Sequence, residues 1–164
     1  MRFPFYLATT AILLLWLSAG CNTNMVFEKN TEIPNSLWDY NNLLPFETEI
    51  TDTTSRYHLF VNVRHTNNYA YSNLWVKIYT TLPSGKKMEQ RVELPLSDKQ
   101  GKWYGKDSGS IIQQQVSIQS TAIMPEVGKY GFQIEQNMRL NPLPEVLSIG
   151  LSIEKATPPQ TDKK

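Results

Sequence analysis

The residue with the most specific chemistry in this sequence is its single cysteine, Cys21. It follows Ser18, Ala19 and Gly20, whose small side chains let the backbone enter a peptidase groove. The segment LSAGC therefore predicts cleavage between Gly20 and Cys21, and attachment of a fatty acid such as palmitate to the Cys21 sulfur. Because the chain has no second cysteine, it can form neither an internal disulfide nor a cysteine zinc site.

The sequence does not contain a recognisable catalytic arrangement of side chains. His58 and His65 are seven residues apart on one predicted strand, so they face opposite sides of it and lie roughly 20 Å apart along it. Asp107 and Ser108 lie between glycines in GKDSG, which is not the nucleophile elbow of serine hydrolases and has no histidine on a neighbouring segment. We predict no catalytic residues, no metal site, no cofactor, no small-molecule substrate and no enzymatic activity.

Aromatic side chains are the better candidates for binding, because exposed rings can anchor a protein partner or stack on sugars. Trp75 and Tyr79 share the polar face of one predicted strand, whereas the other candidates lie in a turn and in a glycine-rich loop. The predicted contact residues are Trp103, Tyr104, Tyr69, Tyr71 and Trp75. An alternative function is a glycan-binding module in which Trp75, Tyr79 and Trp103 form a stacking platform.

The first 21 residues have the layout of a secretory signal. Arg2 precedes an apolar stretch from Phe3 to Leu17, and small residues follow up to the cysteine. This stretch of about 15 residues is shorter than the roughly 20 that a membrane-spanning helix needs. The end of the segment resembles a bacterial lipobox, with Leu17 one residue further from the cysteine than the usual leucine. We therefore predict a lipoprotein anchored in a membrane.

The remaining length suits one folded domain. The expected organisation is a signal peptide at 1–20, a lipidated N-terminus and tether at 21–44, a folded domain at 45–155 and a disordered tail at 156–164. Charge is nearly balanced, with 16 Lys and Arg against 15 Asp and Glu, so nucleic acid is not an expected partner. No acidic run follows the cysteine, and we predict a periplasm-facing location in the cell envelope.

Alternation of apolar and polar residues dominates the folded part. In RYHLFVNVRHT, for example, Tyr57, Leu59, Val61 and Val63 point one way, as in a half-buried strand. The turn PSGK predicts an antiparallel hairpin between the strands on either side of it. About seven strands separated by short turns favour an all-β, antiparallel β-sandwich, with a closed barrel as the alternative.

Three segments resemble the gliding-motility lipoprotein GldH family of the Bacteroidota. They are YHLFVNVRHTNNYAYSNLWVKI at 57–78, LPLSDKQGKWYGKDSGSI at 94–111 and GKYGFQIEQNMRLNPLPEVLSIGLSIEK at 128–155. The resemblance implies a membrane-anchored accessory of the gliding apparatus, whose envelope proteins overlap with the type IX secretion system. It implies no reaction, and the one functional residue that it carries across is the lipidated cysteine, Cys21.

Overall fold

The computed structural model describes residues 24–156, which form strands and a single 3₁₀ turn at Pro34–Ser36. Every strand pairing is antiparallel. The strands are β1 Met25–Glu32, β2 Leu37–Trp38, β3 Leu44–Ile50, β4 Arg56–Thr66, β5 Asn73–Thr81, β6 Lys87–Pro95, β7 Lys106–Ser108, β8 Ile111–Ile123, β9 Gly128–Gln136, β10 Leu143–Pro144 and β11 Val146–Lys155. The all-β prediction is confirmed.

The strands form two main layers. A five-stranded sheet has the order β1-β11-β4-β8-β7, and a four-stranded sheet has the order β3-β9-β5-β6. Strands β10 and β2 pair as a separate ribbon. Apolar residues on the facing sides of both sheets join in one core, for example Val61 and Leu151 from the first sheet and Ile78 and Phe132 from the second. The architecture is therefore a sandwich and not a closed barrel.

The seven strands expected from the sequence are all present, and the hairpin at PSGK pairs β5 with β6 as predicted. Strand β4 coincides with RYHLFVNVRHT. The described residues hold four more strands, β1, β2, β7 and β10. Three of these have only two or three residues, which is too short for an alternating pattern to be recognised.

The expected tether at 21–44 was wrong for its larger part. Residues Met25–Glu32 pair with β11 along the edge of the five-stranded sheet, and Trp38 is fully buried. None of the side chains of this strand is fully buried, so its sequence shows no apolar alternation. The strand is held instead by backbone hydrogen bonds, which the sequence pattern does not predict. The signal peptide predicted at 1–20, the predicted lipidation site Cys21 and residues 157–164 of the predicted tail lie outside the described residues.

The two ends of the sandwich carry different features. We call one the Asn24 end: it holds Asn24, Ala156 and the turns at 51–55, 82–86 and 124–127. We call the other the Trp103 end: it holds the connections at 33–43, 67–72, 96–105 and 137–142. Strand β4 runs between them over 11 residues, which separates the two ends by roughly 30 Å. Within residues 24–156, no helix is long and apolar enough to span a bilayer.

Candidate functional site

The Trp103 loop is shaped by a turn that Asp98 closes. One carboxylate oxygen of Asp98 accepts hydrogen bonds from the backbone N–H groups of Gln100 and Lys102, both at 2.9 Å. Gly101 adopts a φ of 81°, which favours glycine. The chain then returns beside its own start, where Trp103 forms a bridge with Ser97. The glycine-rich loop is thus an ordered turn that presents Trp103 to the core.

The ring of Trp103 packs on His65, at the end of β4. Their ring centroids are 4.6 Å apart at an angle of 65°, and the histidine is fully buried. Its Nδ1 lies 2.9 Å from the backbone oxygen of Thr66, so this nitrogen must carry the proton and donate it. Burial lowers the pKa of His65, and the bond to Thr66 opposes that effect only in part. The imidazole is therefore a neutral packing partner at neutral pH.

The predicted turn around Tyr69 and Tyr71 also packs against His65. The ring centroids of Tyr69 and His65 are 5.3 Å apart, and the Tyr69 hydroxyl donates to the backbone oxygen of Asn73 at 3.0 Å. Burial raises the pKa of this phenol. Tyr71 packs edge-on against Tyr69 at 5.7 Å and is exposed. The structure therefore corrects one predicted contact residue: Tyr69 is a buried support for Tyr71 and cannot itself touch a partner.

Several exposed apolar side chains lie at the Trp103 end. Tyr104, next to the half-buried Trp103, is 58% exposed. Sequence reasoning missed three further residues at this end, Leu37, Tyr40 and Leu140, which are also exposed. Leu37 and Tyr40 lie in the predicted tether at 21–44, which the structure shows to be largely part of the fold. The backbone N–H of Tyr40 donates to the Asn141 side chain at 2.9 Å, and this bond holds the 37–43 and 137–142 connections together.

Trp75 and Tyr79 lie on another surface. Both point away from the core of the four-stranded sheet, as their alternation with buried Leu74 and Val76 predicts. The guanidinium of Arg91 covers the Trp75 ring at 3.9 Å from its centroid. The Tyr79 hydroxyl donates to Glu135 at 2.7 Å, which together with burial raises its pKa to about 12. These two rings do not join Trp103 in one platform.

The polar side chains considered as catalytic candidates are also not brought together in one site. Asp107 and Ser108 lie on the short exposed strand β7, and His58 lies beside Phe60 with ring centroids 6.3 Å apart. Within residues 24–156, Ser108 forms no hydrogen bond with a histidine. The same part of the chain contains no group of three or more metal-ligating side chains.

A family model and two relatives that match this sequence agree on one protein family. Residues 25–153 match the family model described as GldH lipoprotein. A gliding motility lipoprotein GldH homolog of Christiangramia forsetii is 29% identical over 152 residues, which cover 88% of this chain and 93% of that protein. The gliding motility lipoprotein GldH of Flavobacterium johnsoniae is 26% identical over 156 residues, which cover 91% and 94%. A structure of infectious bursal disease virus Gt strain has a TM-score of only 0.33 at 10% identity, and covers 80% of this chain and 32% of that chain.

Proposed function

Because the chain belongs to the GldH lipoprotein family, we propose that it is a membrane-anchored, non-enzymatic accessory of gliding motility and of the secretion machinery associated with it. The two relatives are named gliding motility lipoproteins, and matches over about nine-tenths of this chain support a shared role. In this proposal the protein faces the periplasm and contributes binding to envelope proteins.

The proposed anchor is a lipid on Cys21. The small residues before it suit signal cleavage, and each buried methylene of an acyl chain contributes about 0.8 kcal/mol to membrane binding. One chain alone holds a protein only marginally, so durable attachment requires a cysteine that carries two or three acyl chains.

The observation that carries the proposed contact surface is the exposed ring of Tyr71, which is held on a packed base, with the exposed Tyr104 in the neighbouring 96–105 loop. That base consists of Tyr69 and Trp103, each packed against the ring of His65, and Tyr71 packs on Tyr69. An exposed tyrosine with a fixed support loses little conformational freedom on binding, so its burial contributes strongly to affinity. A protein surface in the envelope is therefore the partner that this end fits best.

A non-enzymatic role is supported by what the polar side chains do. The neutral imidazole of His65 fills space beside Trp103, and the Tyr79 hydroxyl pairs with Glu135. The Asp98 carboxylate closes a turn. Each of these groups has a structural use that accounts for its position.

Photo-crosslinking in the native host tests the contact surface. A crosslinking amino acid at position 71 or 104 should capture an envelope protein, which mass spectrometry then identifies. The double variant Tyr71→Ala, Tyr104→Ala should reduce colony spreading, or secretion in a non-gliding host, at an unchanged protein level. Met88→Ala, at another exposed apolar position on β6, is the matched control. Normal spreading and secretion in the double variant would contradict the proposed surface.

Labelling with a palmitate analogue tests the anchor separately. The wild-type protein should incorporate the analogue and fractionate with membranes, and Cys21→Ala should lose both properties. Firm membrane retention of the Cys21→Ala protein would show that something other than the lipid holds it.

A further inference from the structure

We propose that the Asn24 end of the sandwich rests directly on the bilayer surface, so that the Trp103 end points away from it. The inference depends on the proposed lipidation of Cys21. Beyond the lipid anchor, it assigns a second membrane contact, made by the protein surface itself, and it fixes the orientation of the sandwich relative to the bilayer.

The first argument is the length of chain between the lipid and the fold. Strand β1 begins at Met25, four residues after Cys21. Four residues span at most about 14 Å, even when fully extended. The backbone oxygen of Asn24 accepts a hydrogen bond from the backbone N–H of Lys155 at 2.8 Å, which fixes the start of β1 to the last strand. The lipid therefore cannot be far from the Asn24 end.

The second argument is the surface chemistry of this end. Ile123 is 55% exposed and Val127 is 62% exposed, although both are aliphatic. Ile123 directly precedes the turn at 124–127, and Val127 is its last residue. In β4 the residue opposite Ile123 is Arg56. Exposed aliphatic side chains at a tethered end would lose unfavourable contact with water on entering the interfacial region of a bilayer.

Basic side chains at the Asn24 end could contact the phosphates of the bilayer. Arg56, Lys86 and Lys87 are exposed, and within residues 24–156 none of them forms an ion pair. Lysine and arginine side chains can extend their charged groups to lipid phosphates while their methylenes cover apolar surface. Carboxylates are present at this end as well: Glu126 is engaged by Ser84, and Glu49 is exposed on β3. The three unpaired basic residues and the two exposed aliphatic ones are the groups that would contact lipid.

The turns that carry these residues are held in place. Both the backbone N–H and the hydroxyl of Ser84 donate to the Glu126 carboxylate, at 2.8 and 2.9 Å, which links the 82–86 turn to the 124–127 turn. The backbone N–H of Glu126 donates to the Tyr130 hydroxyl at 3.0 Å. The surface is therefore preformed and does not have to be ordered at the membrane.

The test measures the depth of fluorophores on the full-length, acylated protein. After Cys21 is acylated, a cysteine introduced elsewhere carries the only free thiol. Val127→Cys and Lys86→Cys place a label at the Asn24 end, and Tyr71→Cys places one at the Trp103 end. The labelled proteins are reconstituted in vesicles of phosphatidylethanolamine and phosphatidylglycerol that contain a headgroup-nitroxide lipid. We expect severalfold stronger quenching at 127 and 86 than at 71.

Further variants separate contact from simple tethering. Ile123→Asp with Val127→Asp should lower quenching of the label at 86, and Leu37→Asp with Leu140→Asp at the other end should leave it unchanged. Equal quenching at 71 and 86 in acylated protein overturns the orientation and leaves the anchor standing. Intact mass and thiol titration report the anchor itself, and an unmodified Cys21 overturns both proposals.

Discussion

The indole of Trp103 lies edge to face on the imidazole of His65, with the ring centroids 4.6 Å apart. Strand β4 supplies the histidine, and a loop closed by Asp98 supplies the tryptophan. The contact joins a fully buried residue to a half-buried one, so it seals the core at the Trp103 end while Tyr71 and Tyr104 stay exposed beside it. The stabilising role of Trp103 can therefore be tested separately from the binding role proposed for Tyr71 and Tyr104.

Trp103→Ala should lower the free energy of unfolding by about 2 kcal/mol, which is less than the roughly 3–5 kcal/mol expected for a fully buried ring. The physical reason is the loss of the His65 contact and of core coverage. Urea denaturation measures the change. Tyr104→Ala, which removes a mostly exposed ring, should stay within about 0.5 kcal/mol of wild type. Equal effects of the two variants would show that Trp103 does not support the core.

His65 should make stability depend on pH. Burial lowers its pKa in the folded state, so the unfolded chain takes up the proton first as the pH falls. The stabilisation is complete above the unfolded pKa of about 6.5 and is lost as the pH drops from there towards the lower folded pKa. His65→Phe keeps a ring beside Trp103 and should flatten this dependence in urea denaturations at successive pH values. An equal pH dependence in His65→Phe and wild type would contradict this role of His65.

Asp52 should stabilise the Asn24 end through the turn at 51–55. Its carboxylate accepts hydrogen bonds from the hydroxyls of Ser55 and Thr54, at 2.6 and 2.7 Å, and from the Lys155 ammonium at 2.9 Å. These bonds, that of Ser55 foremost, hold the pKa of Asp52 well below its usual range. Their contribution is present above the unfolded pKa of about 3.9 and is lost as the pH falls from there towards the depressed folded pKa.

Asp52→Asn should therefore lower the melting temperature at neutral pH, and the difference from wild type should shrink as the solution is acidified below about pH 4. Thermal melts followed by circular dichroism provide the measurement. Asp107→Asn, at an exposed carboxylate on β7, is the matched control and should leave the melting temperature unchanged. A pH-independent difference for Asp52→Asn would contradict a role for its ionised form.

Gly150→Ala tests whether β1 is part of the folded domain. A Cβ at Gly150 would overlap the side-chain oxygen of Asn30 and lie 2.8 Å from the backbone oxygen of Lys29, both on β1. We expect a loss of about 1–3 kcal/mol, which is the usual range for overpacking. Gly131→Ala is the control, since its nearest neighbour would be the Thr81 Cβ at 3.8 Å. An unchanged free energy of unfolding for Gly150→Ala would indicate that β1 is not packed there.

The sequence by itself determined the strands that bury one face. Alternation along RYHLFVNVRHT matches β4 from Arg56 to Thr66, because a half-buried strand requires apolar residues at every second position. The hairpin at PSGK was predictable from turn chemistry for the same local reason. The lipid prediction likewise rests on neighbouring residues, those that precede Cys21.

Only the tertiary structure decided where the edge strand lies and which loops meet. Strand β1 is held by backbone hydrogen bonds to β11, and such bonds leave no alternating signature in an exposed strand. Likewise, Trp103 is distant along the chain from His65 and Tyr69, and the pairing of β4 with β8 and of β8 with β7 brings its loop to the end of β4. Burial of Tyr69 and exposure of Tyr71 follow from that convergence, because packing between distant segments depends on the whole fold and not on local pattern.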